Sequence, residues 1–513
     1  MKLPHIGSLD SSFDSIMATD MGVLARDVFI DSKLGVNRRP GYSVYTYTAN
    51  PSILPGVAGT GSGSIFGAFY WALKDRLYVA HEMDGVGNYN KLSIGVYSKA
   101  LVFQAIKISP DDDQSAANSG AARHAWSVKK THFVETADGT RLLCPTGTSI
   151  LRIDTSIPTT GDTGSLYSAG GGDYYAGTGD SIQTTNAPQK CTHIAFIDQM
   201  IVANIKGSGQ FQFSSVGDET SWPTGSMFTA ESMPDNLVAL DVWKQRIWLF
   251  GERTIEEWAT TGDSDIAVRV STFNIGLGAV DSLVKTVDGF YFLDDSFRPV
   301  LFNGTSYETL GGPITKNIQA LTLPKEVIST YVDKDDRPFY IVSSHSDRKA
   351  FVFDVKNKVW YQWGKYTTTA AEQIELGYDI VTPVPAWNRY VATSTIDYKL
   401  FKLDNDLYQD NANTIKCLWE TGNIDNDNYS KKKPAKLILK AKTGTAGTLM
   451  IQHNKDNAGW SPEEQISLRD SGNTDMFIPL NIGGYYRSIK FRLSFTDDYS
   501  FVFGGIFNED QQF

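Results

Sequence analysis

Along most of the chain, apolar residues gather in runs of about five, each closed by a polar turn and answered by a second, largely apolar run. Such pairs are Phe69–Trp71 with Arg76–Val79, His132–Glu135 with Arg141–Cys144, and His193–Ile197 with Met200–Ala203. The series continues with Val238–Val242 and Arg246–Phe250, Leu283–Thr286 and Gly289–Leu293, Thr330–Val332 and Phe339–Val342, and Tyr390–Thr393 and Lys399–Lys402. Helical periodicity is scarce, with short candidates at Thr315–Leu323 and Thr369–Ile374. From Val238 onward corresponding points recur roughly every 45 to 57 residues, and before it roughly every 60, the excess lying in loops. That period suits four-stranded propeller blades, because one such sheet cannot cover both of its faces and must stack on the next. The expected fold is all-β, a β-propeller of about seven blades. Six to eight stay open, because closing a propeller often borrows a strand from the other end of the chain.

Two stretches break the pattern: Asp111–Ala122 (DDDQSAANSGAA) and the Thr, Gly, Ser and Tyr run Thr155–Gln189. Segments this long without structure are rare unless functional or ordered by a partner, and Tyr167, Tyr174 and Tyr175 favour a partner-ordered loop over a plain insertion. After a polar stretch around Asp404–Thr414 come strand patterns at Ile415–Glu420, Lys436–Ala441, Leu449–His453, Glu464–Leu468, Asp475–Ile478, Ser488–Phe495 and Ser500–Phe507. Seven short strands joined by turns suggest a β-sandwich-like unit. The expected organisation is a leading segment 1–46, a propeller over 47–405 with loops at 111–122 and 155–189, a linker at 406–414, and the C-terminal unit at 415–513.

Composition supports this reading. The 513 residues are 41% hydrophobic and 12% aromatic, with 45 Gly and 19 Pro, a mix for many short strands and tight turns. A net charge of -11 argues against a general nucleic-acid binder, which needs a clustered positive footprint, but not against lining a channel where adhesion would hinder DNA. Cys144, Cys191 and Cys417 are odd in number and far apart, which offers neither a disulfide framework nor a CxxC zinc site and points to a reducing compartment. No run of 18 apolar residues and no apolar stretch near the start occur, so neither a membrane span nor a signal peptide is expected.

No residue makes a catalytic, cofactor-binding or metal-binding role a better reading than a structural one. Gly59, Gly61, Gly63 and Gly67 lack the GxGxxG spacing and any GK[ST]. His5, His81, His124, His132, His193, His345 and His453 are scattered without ligand spacing, and His132 and His193 hold equivalent places in their strand pairs, which suggests architecture. Asp333, Asp335 and Asp336, and Asp425 with Asp427, deserve weighing because propellers host glycosidases that use two acids, but hairpin turns explain them better. His453–Ser461 is similar to the Asp-box of sialidases with its glycine displaced. Trp243, Trp248, Trp360 and Trp363 read as core aromatics, and Lys431–Lys433 as a solvated turn.

One resemblance carries further. Phe250–Asp265 (FGERTIEEWATTGDSD) and the following residues to Leu310 resemble the tail hub or nozzle protein of short-tailed bacteriophages, also called the packaged-DNA stabilisation protein. The matching positions are Glu256, Glu257, Trp258, Thr261, Gly262, Asp263, Gly278, Ser282, Gly289, Phe292, Leu293, Val300 and Gly304. Asn37–Tyr45 (NRRPGYSVY) is similar to that family's early xRPG segment, and Trp419–Asp425 to the strand opening its C-terminal β unit. The likeness covers Ala25–Thr46 and Val238–Phe507 and is faint over Gly61–Asp235. It implies a non-enzymatic virion protein assembling as a hexamer below the portal and adaptor rings, closing the head after packaging and passing DNA without sequence-specific binding. Tail fibres or tailspikes and a tail plug or needle are the further partners it implies. The rival readings are a propeller enzyme acting on carbohydrate and a cytoplasmic interaction scaffold.

Overall fold

The structure is a computed structural model. It describes residues 25–508, apart from 32–34, 45–64, 86–88, 100–102, 109–127, 148–149, 155–187, 189, 231–234, 263–265, 335–336, 365, 369–372, 376–377, 379, 395–399, 404–406, 423–429, 433–436, 444, 471, 473 and 481. The predicted loops at 111–122 and, but for Pro188, 155–189 lie outside the described residues.

Seven antiparallel sheets follow one another as blades. Blade 1 holds Ile65–Trp71, Arg76–Gly85, Tyr89–Tyr97 and Phe103–Ile108; blade 2 holds Val134–Glu135, Arg141–Pro145 and Ile150–Asp154. Blade 3 is Ile194–Ile197, Met200–Asn204, Gln210–Phe213 and Met227–Thr229; blade 4 is Leu237–Trp243, Arg246–Gly251, Ile255–Thr260 and Ala267–Phe273. Blade 5 is Val284–Lys285, Phe290–Leu293, Pro299–Phe302 and Tyr307–Thr309; blade 6 is Ile328–Lys334, Arg337–Ser344, Lys349–Asp354 and Val359–Trp363. Blade 7 takes Ile380–Ala386, Arg389–Ser394 and Leu400–Leu403, and its fourth strand comes from the N-terminal region. The first strands of neighbouring blades meet one another, which places them nearest the axis.

Each blade buries its faces on its neighbours. Phe211 and Phe213 of blade 3 pack with Leu249 and Trp258 of blade 4, and Trp248 and Phe250 of blade 4 with Phe290 and Phe302 of blade 5. The circle closes where Val391 and Leu400 of blade 7 meet Leu77 and Val79 of blade 1. Each such side chain is worth about 1.5 to 3 kcal/mol when taken out of water, so the seams rather than the isolated sheets hold the ring.

The N-terminal strands were not legible in the sequence pattern, and they tie the molecule together. They are β1 (Ala25–Arg26), β2 (Val28–Asp31), β3 (Gly35–Arg38) and β4 (Tyr42–Val44). Antiparallel pairing of β4 with Leu400–Leu403 closes blade 7. Parallel to the outer strand of blade 6 and antiparallel to Cys417–Glu420, β1 splices that blade into a sheet continuing through Ile489–Phe495, Gly447–Lys455 and Glu464–Leu468. The facing sheet runs β2, β3, Phe501–Asn508, Leu437–Thr443 and Met476–Leu480. Along Leu437–Thr443 buried and half-buried residues alternate, which turns Leu437, Leu439 and Ala441 inward to join Phe503, Ile451 and Leu493. Seven of the sandwich strands are those the sequence pattern predicts, and β2 and β3 complete the second sheet.

Smaller differences have local causes. The helix expected at Thr315–Leu323 runs Gly312–Gln319, because Pro313 suits a first helical turn that lacks amide partners. Of the Thr369–Ile374 candidate, residues 369–372 lie outside the described residues, and Gln373–Glu375 is a strand paired with Tyr366–Thr368. Within 406–414, Gln409–Asp410 and Asn413–Thr414 form a small hairpin seated on β4.

Candidate functional site

Two polar clusters lie inside the described structure. The first is at the junction of propeller and sandwich and is made by Asn37–Gly41 of the xRPG segment. Arg39 is fully buried: its Nε donates to Asp27 Oδ1 (2.7 Å), Nη1 to Asp410 Oδ1 (2.9 Å), and Nη2 to Asp410 Oδ2 and the Gly364 carbonyl (both 2.5 Å). Asp27 also accepts the Gly364 amide, and burial raises its pKa to about 6 against the pull of Arg39, whose own ionisation the two carboxylates reinforce. Arg38 instead donates to the backbone carbonyls of Asp497, Tyr499, Tyr408 and Ile415, with its guanidinium over the Tyr408 and Phe495 rings. Gly41 is required by space, since a Cβ there would sit 2.1 Å from the Gln409 carbonyl oxygen. Neighbouring arginines thus bind different units: Arg38 reaches the sandwich, and Arg39 joins β1, blade 6 and the 409–414 hairpin.

The second cluster lies on the propeller axis. Lys130 precedes blade 2, and Thr131 beside it donates its amide to Phe66 of blade 1 (2.7 Å). The Lys130 ammonium donates across the axis to the Ser329 carbonyl of blade 6 (2.7 Å) and to Leu283, just before blade 5 (3.4 Å). Burial lowers its pKa to about 8 and raises that of nearby Asp281 to about 6. His132 and His193 stack with ring centroids 5.5 Å apart, and His132 Nε2 lies 2.8 Å from the Ile194 carbonyl oxygen. Burial pushes the pKa of both imidazoles down, for His193 with added repulsion from His132 and Lys130. Asp241 on the first strand of blade 4 accepts from Lys285 of blade 5 (2.5 Å). Chemically, this centre is a bridge of lysines and neutral imidazoles, and its two carboxylates each face an ammonium group.

Most of the described residues that carry the family resemblance are packing residues. Trp258 is buried, edge-on to Phe211 of blade 3 (5.1 Å), with its indole N–H donating to Glu256 Oε2 (2.8 Å). Glu256 is itself buried and has Arg269 at 3.6 Å; Glu257 accepts from Ser271 (2.6 Å). Ser282 donates to the Ala279 carbonyl (2.6 Å) and accepts the Leu293 amide (2.9 Å). At Gly289, φ is +143° and a Cβ would lie 2.1 Å from the Phe302 carbonyl oxygen. Phe292, Leu293 and Val300 are buried in the blade 5 seams, and Gly304 lies under Trp243 and Trp248. Gly278 abuts the Asp294 carbonyl, Thr261 and Gly262 form an exposed turn, and Asp263 lies outside the described residues.

Of the acidic residues considered, only Asp333 lies among the described residues. Asp333 is exposed at the end of the first strand of blade 6, while Asp335, Asp336, Asp425 and Asp427 lie outside the described residues. Among the described residues no group of three His, Cys, Asp or Glu side chains is placed to hold a metal, and no helix is long and apolar enough to cross a membrane. His453–Ser461 is a surface hairpin turn, with Trp460 covered by the Arg492 guanidinium (4.1 Å). Trp243, Trp248, Trp360 and Trp363 are buried, and Lys432 donates to the Arg487 carbonyl (2.7 Å). The three cysteines are free and buried, and burial pushes the Cys144 and Cys417 thiols up to about 12. The lysine crossing the axis and the Asp27–Arg39–Asp410 group escaped the sequence reading. The only signal was the RRPG arginine pair, which does not say which carboxylates it will meet.

Residues 155–408 match a protein family described as bacteriophage P22 Gp10, beta-propeller. The chain belongs to this phage tail family. The matched stretch contains every propeller motif position from Glu256 to Gly304, among them residues packed in the seams of blades 3 to 5. No curated protein matches the chain. Among solved structures, the Gp10-family chain is similar to an exo-beta-1,3-galactanase from Phanerochaete chrysosporium at 8% identity and a TM-score of 0.25, covering 90% of this chain and 99% of that one. It is also similar to a glycoside hydrolase family 43 arabinoxylan arabinofuranohydrolase from Bacillus subtilis (10%, 0.25, 90% and 100%) and to the dihydro-heme d1 dehydrogenase NirN (8%, 0.35, 87% and 80%). Scores this low transfer nothing from those enzymes to this chain.

Proposed function

We propose that this protein is the tail hub, or nozzle, subunit of a short-tailed phage: six copies form a ring below the portal and adaptor, close the channel after packaging and conduct DNA at ejection. Membership of the phage tail family carries the reading. The axial cluster adds a constraint: Lys130 bridges the propeller's own axis, so the DNA path lies between copies and not along a blade axis. Each copy carries -11, and beyond a Debye length of ~8 Å exposed charge is screened, so a wall of such copies repels phosphates at close range and lets DNA slide. Retention then falls to a plug, needle or narrow gate, and fibres or tailspikes attach outside. Subunit contacts are weak individually and reinforced by docking many copies on the adaptor. The test is complementation. Heads filled in the absence of this protein lose their DNA, and adding the purified chain retains it; heads that hold their genome equally well without it contradict the reading.

A further inference from the structure

The turns between first and second strands lie at one end of the propeller, and side chains lock two seams there. Trp387 of blade 7 and Tyr70 of blade 1 both donate to Asp75 Oδ1 (2.5 and 2.7 Å), and Thr260 of blade 4 donates to Asp198 of blade 3. Blades 2 and 3 instead part around a cleft of about 590 Å³. Its floor is Ile201 and the half-buried Phe196 ring; its rim holds Asp138 of the blade 2 turn, with Asp218 and Glu219 after the third strand of blade 3. The lining thus carries three carboxylates and no cation, and nearby Arg141 is engaged by Glu219 (2.7 Å). Hydrogen bonds from Thr136 and Thr140 hold the Asp138 pKa down to about 2. Asp218 accepts the Thr220 amide (2.9 Å) and hydroxyl (2.6 Å) on Oδ1, and its Oδ2 has no partner among the described residues. Two exposed apolar side chains flank the cleft: Val216 (67% exposed), beside Gly217 of the lining, and Leu73 (72%), against the Gly139 side of the blade 2 turn.

We propose that this cleft takes an arginine side chain of a partner protein, whose apolar residues on either side of that arginine cover Val216 and Leu73. A guanidinium is planar and weakly hydrated, so it lies on an aromatic ring while its N–H groups reach carboxylates at the ring's edge. Phe196 supplies the ring, and Asp138 and Asp218 the carboxylates. A free small cation would leave Val216 and Leu73 in water, and the adjoining stretch 155–189 contains no lysine or arginine, so the cation arrives on another protein. One anchoring side chain binds weakly, and presentation of the cleft on many copies strengthens the contact. The site is read on the isolated chain, so it stands or falls apart from the hub reading.

The test is titration calorimetry of the full chain with a blocked Gly-Leu-Arg-Val-Gly peptide, its citrulline counterpart and putrescine. The arginine peptide saturates at millimolar to high-micromolar concentration, the uncharged citrulline peptide binds about tenfold more weakly, and putrescine is weaker than the arginine peptide. Asp218→Asn keeps the Oδ1 acceptor for Thr220 and removes only the charge; it weakens the arginine peptide several-fold. Val216→Ser, at an exposed position, weakens the peptide and leaves putrescine unchanged. No saturable binding, equal binding of the citrulline peptide, putrescine as tight as the arginine peptide, or variants that bind as the wild type does each overturn the proposal. So does self-association of the chain that Asp218→Asn abolishes, which would put a second copy in the cleft.

Discussion

Blade 4 draws its four strands from one run of chain, Leu237 to Phe273, whereas blade 7 takes three from Ile380–Leu403 and the fourth, β4, from Tyr42–Val44. Blade 4 forms from local hairpins and is held by apolar seams, such as the Trp258–Phe211 contact. Blade 7 exists only after a loop of more than 350 residues has closed, and a buried ionic group, Asp27–Arg39–Asp410, fixes it there. The same segment supplies β2 and β3 to the sandwich, so closing the propeller and completing the sandwich are one event. Loop closure is slow and its entropic cost must be met by contacts made together at the end. A change at the junction should therefore disturb both units, and a change in blade 4 only its seams.

The largest break is truncation. A chain starting at residue 45 lacks the fourth strand of blade 7, two sandwich strands and Arg39, and is expected to lose the cooperative unfolding transition altogether. A truncated chain with native-like hydrogen exchange in blade 7 and the sandwich would show that the N-terminal strands are decoration. Next comes Arg39→Ala, which leaves two carboxylates buried without their counter-ion and should cost about 5 kcal/mol. Its exchange protection should fall in β4, blade 7 and the sandwich together. Trp258→Ala opens a cavity in the blade 3–4 seam and should cost about 3 to 4 kcal/mol, with the added exchange confined to that seam. Loss spreading to the sandwich would erase the contrast.

The smallest effect is a pH dependence at the axis. The His193 pKa is lowered in the folded protein by burial, and then by His132 and Lys130. Below about 6.5 the unfolded chain binds a proton there that the folded chain refuses, so this residue's contribution to stability is lost as pH falls. The cost of His193→Gln, measured by chemical denaturation, should therefore shrink from pH 7 to pH 5. A cost that is flat or grows over that range would mean that the imidazole is not buried neutral on the axis.

Legibility follows the same division. The hairpins were readable because strand alternation and polar turns are local, as at Lys244–Gln245, where both turn residues have positive φ between Leu237–Trp243 and Arg246–Gly251. The sandwich strands were readable for the same reason. The runs β1 to β4, of two to four residues, carry no period, and their partners lie hundreds of positions away, so pattern could suggest a borrowed strand without saying which. At the clusters, RRPG marked Arg38 and Arg39, but neither Asp27 nor Asp410 has a local feature that announces a buried partner. Lys130 and Ser329 meet only because seven blades form a circle, and that circle is nowhere local in the chain.

Lys130 bridges the propeller's own axis, and on the proposed function it is the copies of this tail subunit that enclose the DNA path. Imaging the purified chain bound to its portal and adaptor tests it most directly. The expected result is a ring of six copies coaxial with the portal, an open passage between the copies, and filled density at Lys130 within each propeller. A single copy on the outside of the adaptor, or duplex density threading an individual propeller, would contradict it.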